Sequence, residues 1–402
     1  MIVLLALLSC ATVESGAKAP GPLASVHVRT GGAVKRLPTV AYRPEDPKSE
    51  AGKWMVSALH GSQWDGGLAA AASELIGSMR DKRRLLSPRA TATASSRAGF
   101  PGAARFAKTV TDGARPVNLV NQIAQASGGK KIDVGLASRQ YGDGQVLWVV
   151  GWAPHVVDVD PVPRTVTLDS SLTIRIENKD KRSARLFVAP PDGPVEELSL
   201  SSGVARWVDG FDVPGEYRFE VLLDDEGVGT VALLFSVFAD GQPPAVPAAP
   251  LPPERNPDPR EAEAWLMDAL NKLRVDHGLR PVQRFTLFDT LAREHSAMMG
   301  HMGVVAHRLP GYGGVTDKAA NFAHPRAAHH ENVAAAPTAQ AAMKLVELSP
   351  AHLQNLLCEE CTHVSIGATL EPVLDRIPRL FVTWELLEFP QGPPKEIDHY
   401  NR

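Results

Sequence analysis

Ten of the thirteen histidines fall between residues 277 and 399, which places any imidazole chemistry in the C-terminal third of the chain. Two short runs there combine side chains that can ligate metal: His329-His330-Glu331 and Cys358-Glu359-Glu360-Cys361. Neutral imidazoles and a carboxylate are donors that suit zinc. His329 and His330 could contribute beside Glu331, although an exposed loop pair is the plainer expectation. The cysteine pair is one residue out of register for haem attachment, because Thr362 separates it from His363. In an oxidising compartment a local disulfide bracing this loop is the simpler reading, with a zinc site from Cys358, Cys361 and His363 as its alternative. The sequence has no His-Glu-x-x-His helix, no Gly-x-Ser-x-Gly elbow and no evident nucleophile with a base, so hydrolysis lacks its usual parts.

These residues need elements to position them. Asp258 reads as an N-cap, Pro259 as the first helical residue and Glu261 as the reciprocal partner of a capping box. Ala262, Trp265, Leu266, Ala269, Leu270 and Leu273 then line one face of that helix. A second helix carries Phe288, Leu291, Ala292, His295 and Met299 on its apolar face, which makes His295 a core histidine. A third begins at Ser349-Pro350, continues through Leu353, Leu356 and Leu357, and holds His352 in its first turn.

One ordered series of motifs resembles a known family. It runs through Leu270-Asn271-Lys272-Leu273-Arg274, Gly278-Leu279-Arg280-Pro281, Leu291-Ala292-Arg293-Glu294-His295-Ser296, Ala306-His307 and Glu331-Asn332-Val333. It continues with Ser349-Pro350-Ala351-His352-Leu353-Gln354-Asn355-Leu356-Leu357 and Thr362-His363-Val364-Ser365-Ile366-Gly367. Over 258–388 it resembles the CAP superfamily of cysteine-rich secretory proteins, antigen 5 and pathogenesis-related proteins (SCP-like), in its bacterial branch. The resemblance implies an α-β-α sandwich with a cavity of two histidines and acidic residues that can hold a divalent ion. His307 and His352 match the cavity histidines, and Glu331 matches the Glu-Asn motif. The second acidic position of the eukaryotic cavity falls near Ser349.

The rest of the chain reads as modules that present this one. At 402 residues, with 44% hydrophobic and 22% charged residues, it is a globular multidomain protein. Residues 241–260 hold eight prolines and read as a semi-rigid linker. Residues 162–240 read as short strands separated by turns such as Pro191-Asp192-Gly193, giving an antiparallel β-sandwich without a catalytic constellation, a spacer by the plainer reading and a recognition module as its alternative. Residues 50–155 run from helical to strand-like. A constant offset pairs Leu68 with Phe288, Ala72 with Ala292, Leu75 with His295 and Met79 with Met299, which suggests a degenerate CAP-like copy without the cavity histidines. Residues 76–131 carry eleven basic against two acidic residues, and residues 192–226 ten acidic against two basic. Solvated faces or two modules docking on each other account for this, with anionic lipid or glycan at the basic module as the sharper alternative. Nucleic acid is not favoured, because aromatic interleaving is absent.

The first nine residues, MIVLLALLS, are too short to span a bilayer core of about 30 Å. Leu7-Leu8-Ser9-Cys10 resembles the lipobox of bacterial lipoproteins, whose cysteine is lipidated. That resemblance implies a 1–9 signal, a lipid anchor at Cys10 and a 10–49 tether, and Ala11 after the cysteine points to the outer membrane. The expected protein is therefore a multidomain α+β chain of the bacterial cell envelope with its CAP domain at 261–390. It acts as a binding module for a lipid, glycan or protein ligand, with a zinc-class ion at His307, Glu331 and His352. The competing expectation is a metal-dependent hydrolase of cell-wall or peptide substrates.

Overall fold

The computed structural model describes residues 39–40, 49–160, 162–178, 182–200, 203–207, 210–225, 228–253, 255–315, 328–371 and 378–393. The segments expected as a 1–9 signal and, for the most part, as a 10–49 tether, with Cys10, lie outside the described residues. The chain is mixed α and β, with several sheets. No helix among the described residues is long and apolar enough to cross a membrane.

The first unit contains α1 (Glu50–Ala58), α2 (Gly66–Ser78), α3 (Pro88–Ala98) and α4 (Val117–Ser127). Asp65 caps α2 by accepting from the Leu68 N–H at 2.7 Å, and Ser87 caps α3, whose first residue is Pro88. Leu68, Ala71, Ala72, Leu75 and Ile76 return every three or four residues and are buried. They pack on a sheet ordered Gln63–Trp64, Ile132–Gln140, Val146–Pro154, Arg105–Thr111, in which the first pair is parallel and the others antiparallel.

The last unit repeats this plan. Its helices are α5 (Pro259–Asp276), α6 (Asp289–Met302), α7 (Ala339–Leu348) and α8 (Pro350–Leu356). Its sheet is ordered Gln283–Arg284, His363–Glu371, Arg379–Glu388, Ala328–Ala336, again parallel for the first pair only. In each unit a glycine lets a helix backbone touch the sheet. A Cβ on Gly135 would lie 2.3 Å from the Ala69 nitrogen, and one on Gly367 would lie 2.2 Å from the Arg293 nitrogen. Ala69 therefore corresponds to Arg293 and Leu68 to Ala292, one helical turn beyond the Phe288 expected from hydrophobic periodicity. The repeat is real in topology, and its helix register is corrected by that turn.

Between the units, two sheets enclose an aromatic core of Trp207, Phe211, Tyr217, Phe219 and Phe235. One is ordered Glu196–Ser199, Ala184–Ala189, Gly215–Asp225, Val228–Ala239, Thr165–Val166, and the other Val204–Trp207, Leu172–Glu177, Asp158–Val159. The expected wholly antiparallel arrangement fails at one edge, where Thr165–Val166 pairs parallel to Val228–Ala239.

Two further expectations change. Glu261 does not close a capping box, because its carboxylate pairs with Arg255 while Asp258 alone caps α5. Trp265 faces outward, and Ala262, Leu266 and Leu270 form the buried face. The proline-rich segment is no free-standing spacer. Its Ala249 is buried in a core that joins the first and last units, and its carbonyls at Pro243, Pro244, Ala249 and Pro250 accept from Arg97, Arg84 and the Leu85 N–H. The basic and acidic segments do meet, at an Arg89–Glu216 ion pair of 3.2 Å.

Candidate functional site

Strand alternation sorts the residues around Glu331. On Ala328–Ala336, His329, Glu331 and Val333 share the face towards α6, while His330, Asn332 and Ala334 share the other. Asn332 and Asn355 tie α8 to this strand. Asn332 donates to the His352 carbonyl at 3.0 Å, and Asn355 donates to Asn332 Oδ1 at 2.9 Å. His307 arrives on the loop after α6, which Gly303 ends in the left-handed conformation at φ 67°. His295 on α6 braces that loop through a 2.8 Å contact from its Nε2 to the Ala306 carbonyl.

These elements bring His307 and His352 together, with ring centroids 6.5 Å apart and planes 20° from parallel. Each imidazole has its Nδ1 committed. His307 Nδ1 is hydrogen-bonded to Glu331, and both side chains are about 2% exposed. His352 Nδ1 lies 2.7 Å from the hydroxyl of Ser349, the residue that caps α8. Ser349 in turn donates to Glu220 Oε2 at 2.6 Å, and the same oxygen accepts from the Ala351 N–H at 2.9 Å.

Glu220 lies on the strand Gly215–Asp225 of the sandwich, whose sequence shows no catalytic constellation, and it was not among the expected site residues. It is fully buried, and that burial pushes its carboxyl up to about 7 against the lowering by Ser349 and Ala351. Glu331 behaves oppositely: burial raises it, yet hydrogen bonding and charge from His307 bring it below the usual carboxylate range.

The tautomers follow from counting protons. Ser349 has one hydroxyl hydrogen, donated to Glu220, so its oxygen accepts from His352 Nδ1–H. His307 Nδ1–H likewise donates to Glu331. His307 Nε2 then carries a lone pair, and it is buried without a hydrogen-bond partner among the described residues. Carboxylate or hydroxyl support behind an imidazole is the usual arrangement behind metal-binding histidines.

The structure also adds residues that sequence reasoning missed. Glu385 stands directly across from Glu331 in the sheet and is fully buried beside it. His329 Nε2 lies 2.5 Å from Glu385 Oε2, so His329 is a buried strand residue and not half of an exposed loop pair. The result is two buried histidine–carboxylate pairs, His307–Glu331 and His329–Glu385, side by side across the two strands. Its signal was the two-residue spacing of His329 and Glu331 on one strand.

Tested as a three-ligand metal set, His307, Glu331 and His352 do not fit. Among the described residues their ligand atoms do not all converge within 4.8 Å, and Glu331 is spent on His307. What remains is one unpartnered buried donor, His307 Nε2, oriented by Glu331 and beside the His352 ring. Cys358 and Cys361 form a disulfide with Cα atoms 5.4 Å apart. His363 turns away from it towards Phe285 and Phe389, so the zinc set of Cys358, Cys361 and His363 is not assembled.

No family model and no curated protein sequence matches the chain. Among solved structures it is similar to an extracellular protein containing an SCP domain from Bacillus anthracis, at 18% identity over 50% of this chain and 67% of that one, with a TM-score of 0.29. It is similar also to an outer surface protein from Borrelia burgdorferi, at 17% identity over 34% of this chain and 98% of that one, with a TM-score of 0.29. A cysteine-rich secretory protein from Staphylococcus aureus matches at 11% identity over 58% of this chain and 84% of that one, with a TM-score of 0.25. Likeness at this level carries no weight of its own, and the functional reading rests on the geometry of the histidine pair.

Proposed function

We propose that the chain is an extracellular or envelope protein of the CAP type whose C-terminal module binds a lipid, glycan or protein ligand at a divalent cation held by His307 and His352. The observation that carries this reading is the support behind both imidazoles, Glu331 on His307 Nδ1 and Ser349 on His352 Nδ1, together with the buried Nε2 of His307 that has no hydrogen-bond partner among the described residues. A bound divalent ion, zinc by the donor set, would supply a positive docking point for a ligand oxygen. Glu331 holds the His307 ring, and Glu220 acting through Ser349 holds that of His352.

Hydrolysis is the weaker reading. Ser349 is within reach of His352, but it is fully buried, it donates to Glu220 and it caps the His352 N–H. Its hydroxyl is a structural spacer, and no attack by it on a substrate is sterically open. The proposal extends to a lipid anchor at Cys10 in the outer membrane, and to anionic lipid or glycan as the partner of the basic first unit.

The test is to strip the protein of metal, reload it with zinc, and titrate it with anionic vesicles, peptidoglycan fragments and a peptide mixture while following turnover of the last two. Zinc-dependent binding without turnover is expected, weakened roughly tenfold or more by His352→Ala. Zinc-dependent turnover that His352→Ala abolishes would replace the binding reading with the hydrolase.

A further inference from the structure

On the face of the sheet opposite Glu331, three ligand-bearing side chains from two separate segments meet. A ring nitrogen of His330 and the sulfurs of Cys358 and Cys361 all lie within 4.8 Å of one another. His330 Nδ1 is buried and has no hydrogen-bond partner among the described residues, which is costly for an imidazole in a packed interior. Glu360, between the cysteines, places Oε2 3.8 Å from Cys358 Sγ.

The backbone that carries the cysteines is fixed independently of the disulfide. Arg274 is buried on α5 and donates to the carbonyls of Leu356 at 2.8 Å and Cys358 at 2.9 Å, with a longer contact of 3.4 Å to Cys361. Opening the sulfur–sulfur bond therefore leaves the loop in place and frees only two side chains to rotate.

We propose that this locus has two states, a Cys358–Cys361 disulfide and a zinc-class site formed by the two thiolates with His330. A dithiol reductant delivers two electrons and two protons to the disulfide, the sulfur–sulfur bond breaks, and the reductant leaves as its own disulfide. The two thiols then lose their protons to solvent as two metal–sulfur bonds form, and neutral His330 supplies a third ligand. Two thiolates balance the charge of a divalent ion, which suits a site flanked by buried apolar residues. Burial holds His330 below the usual imidazole range, in keeping with a neutral ligand. The fourth position falls to Glu360 or water. This site is separate from the His307–His352 pair and does not depend on the function proposed for it.

The full chain, oxidised or reduced with dithiothreitol and desalted without air, is equilibrated with zinc, and bound metal is measured by atomic emission after gel filtration. The reduced protein is expected to bind one zinc per chain more than the oxidised protein, and His307→Ala with His352→Ala is expected to keep that difference. His330→Ala is expected to weaken the extra zinc by roughly tenfold or more. Cobalt added to reduced wild-type protein is expected to show thiolate charge-transfer absorption, a readout that needs no variant to fold. Equal zinc in both redox states, no cobalt–thiolate absorption, or unchanged affinity in a folded His330→Ala protein would overturn the proposal.

Discussion

Glu220 Oε2 accepts a hydrogen bond from the Ser349 hydroxyl at 2.6 Å, joining a strand of the central sandwich to the cap of α8 across 129 residues of sequence. Ser349 passes that contact on to His352 Nδ1. The sandwich, expected as a spacer, thereby sets the tautomer of a histidine in the last unit. Arg218 on the same strand donates to the Glu347 carbonyl, and Leu222 packs with Ala351, so the docking is made of apolar as well as polar contacts.

The first consequence is a pH dependence of stability. The carboxyl of Glu220 stands at about 7 when folded against 4.5 for an ordinary glutamate, so between these pH values the folded state holds more protons than the unfolded state. Stability therefore falls as pH rises through that window, by about 3 kcal/mol for this one group. Glu220→Gln keeps an acceptor for Ser349 and Ala351 but removes the ionisation. Denaturant midpoints from pH 4.5 to 7.5 are expected to fall more steeply in the wild type than in Glu220→Gln, and parallel curves would show that Glu220 does not titrate there.

Support behind the imidazoles should be visible in cation affinity. Glu331→Ala removes the acceptor on His307 Nδ1, and Glu220→Ala leaves Ser349 free to donate to His352 Nδ1, which shifts the lone pair away from Nε2. Each is expected to weaken zinc binding at the pair by roughly 10- to 100-fold in calorimetry at pH 8 with the disulfide intact. Glu220→Gln, which preserves the acceptor, is expected to stay near wild type.

Glycine positions give a test of packing with opposite signs. A Cβ at Gly367 would lie 2.2 Å from Ala292 and Arg293 backbone atoms, so Gly367→Ala must push α6 off the sheet. A loss of about 3 kcal/mol is expected from urea denaturation. Gly77, in the last turn of α2, meets nothing within 4 Å, and Gly77→Ala is expected to stabilise by about 0.5 kcal/mol.

Much of the site was legible because its parts are local. Ser349-Pro350 marks a helix start by its own chemistry, and His352 three residues later must fall in the first turn. His307, Glu331 and His352 came from ordered motifs, and the fold brings them together. Glu220 could not be found that way. It sits in a segment with ten acidic residues, where an outward strand position reads as solvated until a helix is known to cover it. Glu385 was hidden similarly, since strand register alone places it opposite Glu331. The repeat was detected one turn out of register because an amphipathic helix matches itself nearly as well after four residues, and only the Gly135 and Gly367 contacts break that tie.

The anchor has its own check. Cells expressing the full chain are fed a labelled fatty acid, and the wild-type protein is expected to carry the label while Cys10→Ala does not. An unlabelled wild-type protein would remove the anchor without touching the histidine site.

The central claim concerns the two imidazoles, and anomalous diffraction at the zinc edge from crystals of the disulfide-intact protein soaked in zinc tests it most directly. A peak about 2.1 Å from both His307 Nε2 and His352 Nε2 is expected, with Glu331 still on His307 Nδ1 and Ser349 still between His352 and Glu220. No peak between the rings, or a zinc ion bound by Glu331 with His307 turned away, would contradict it.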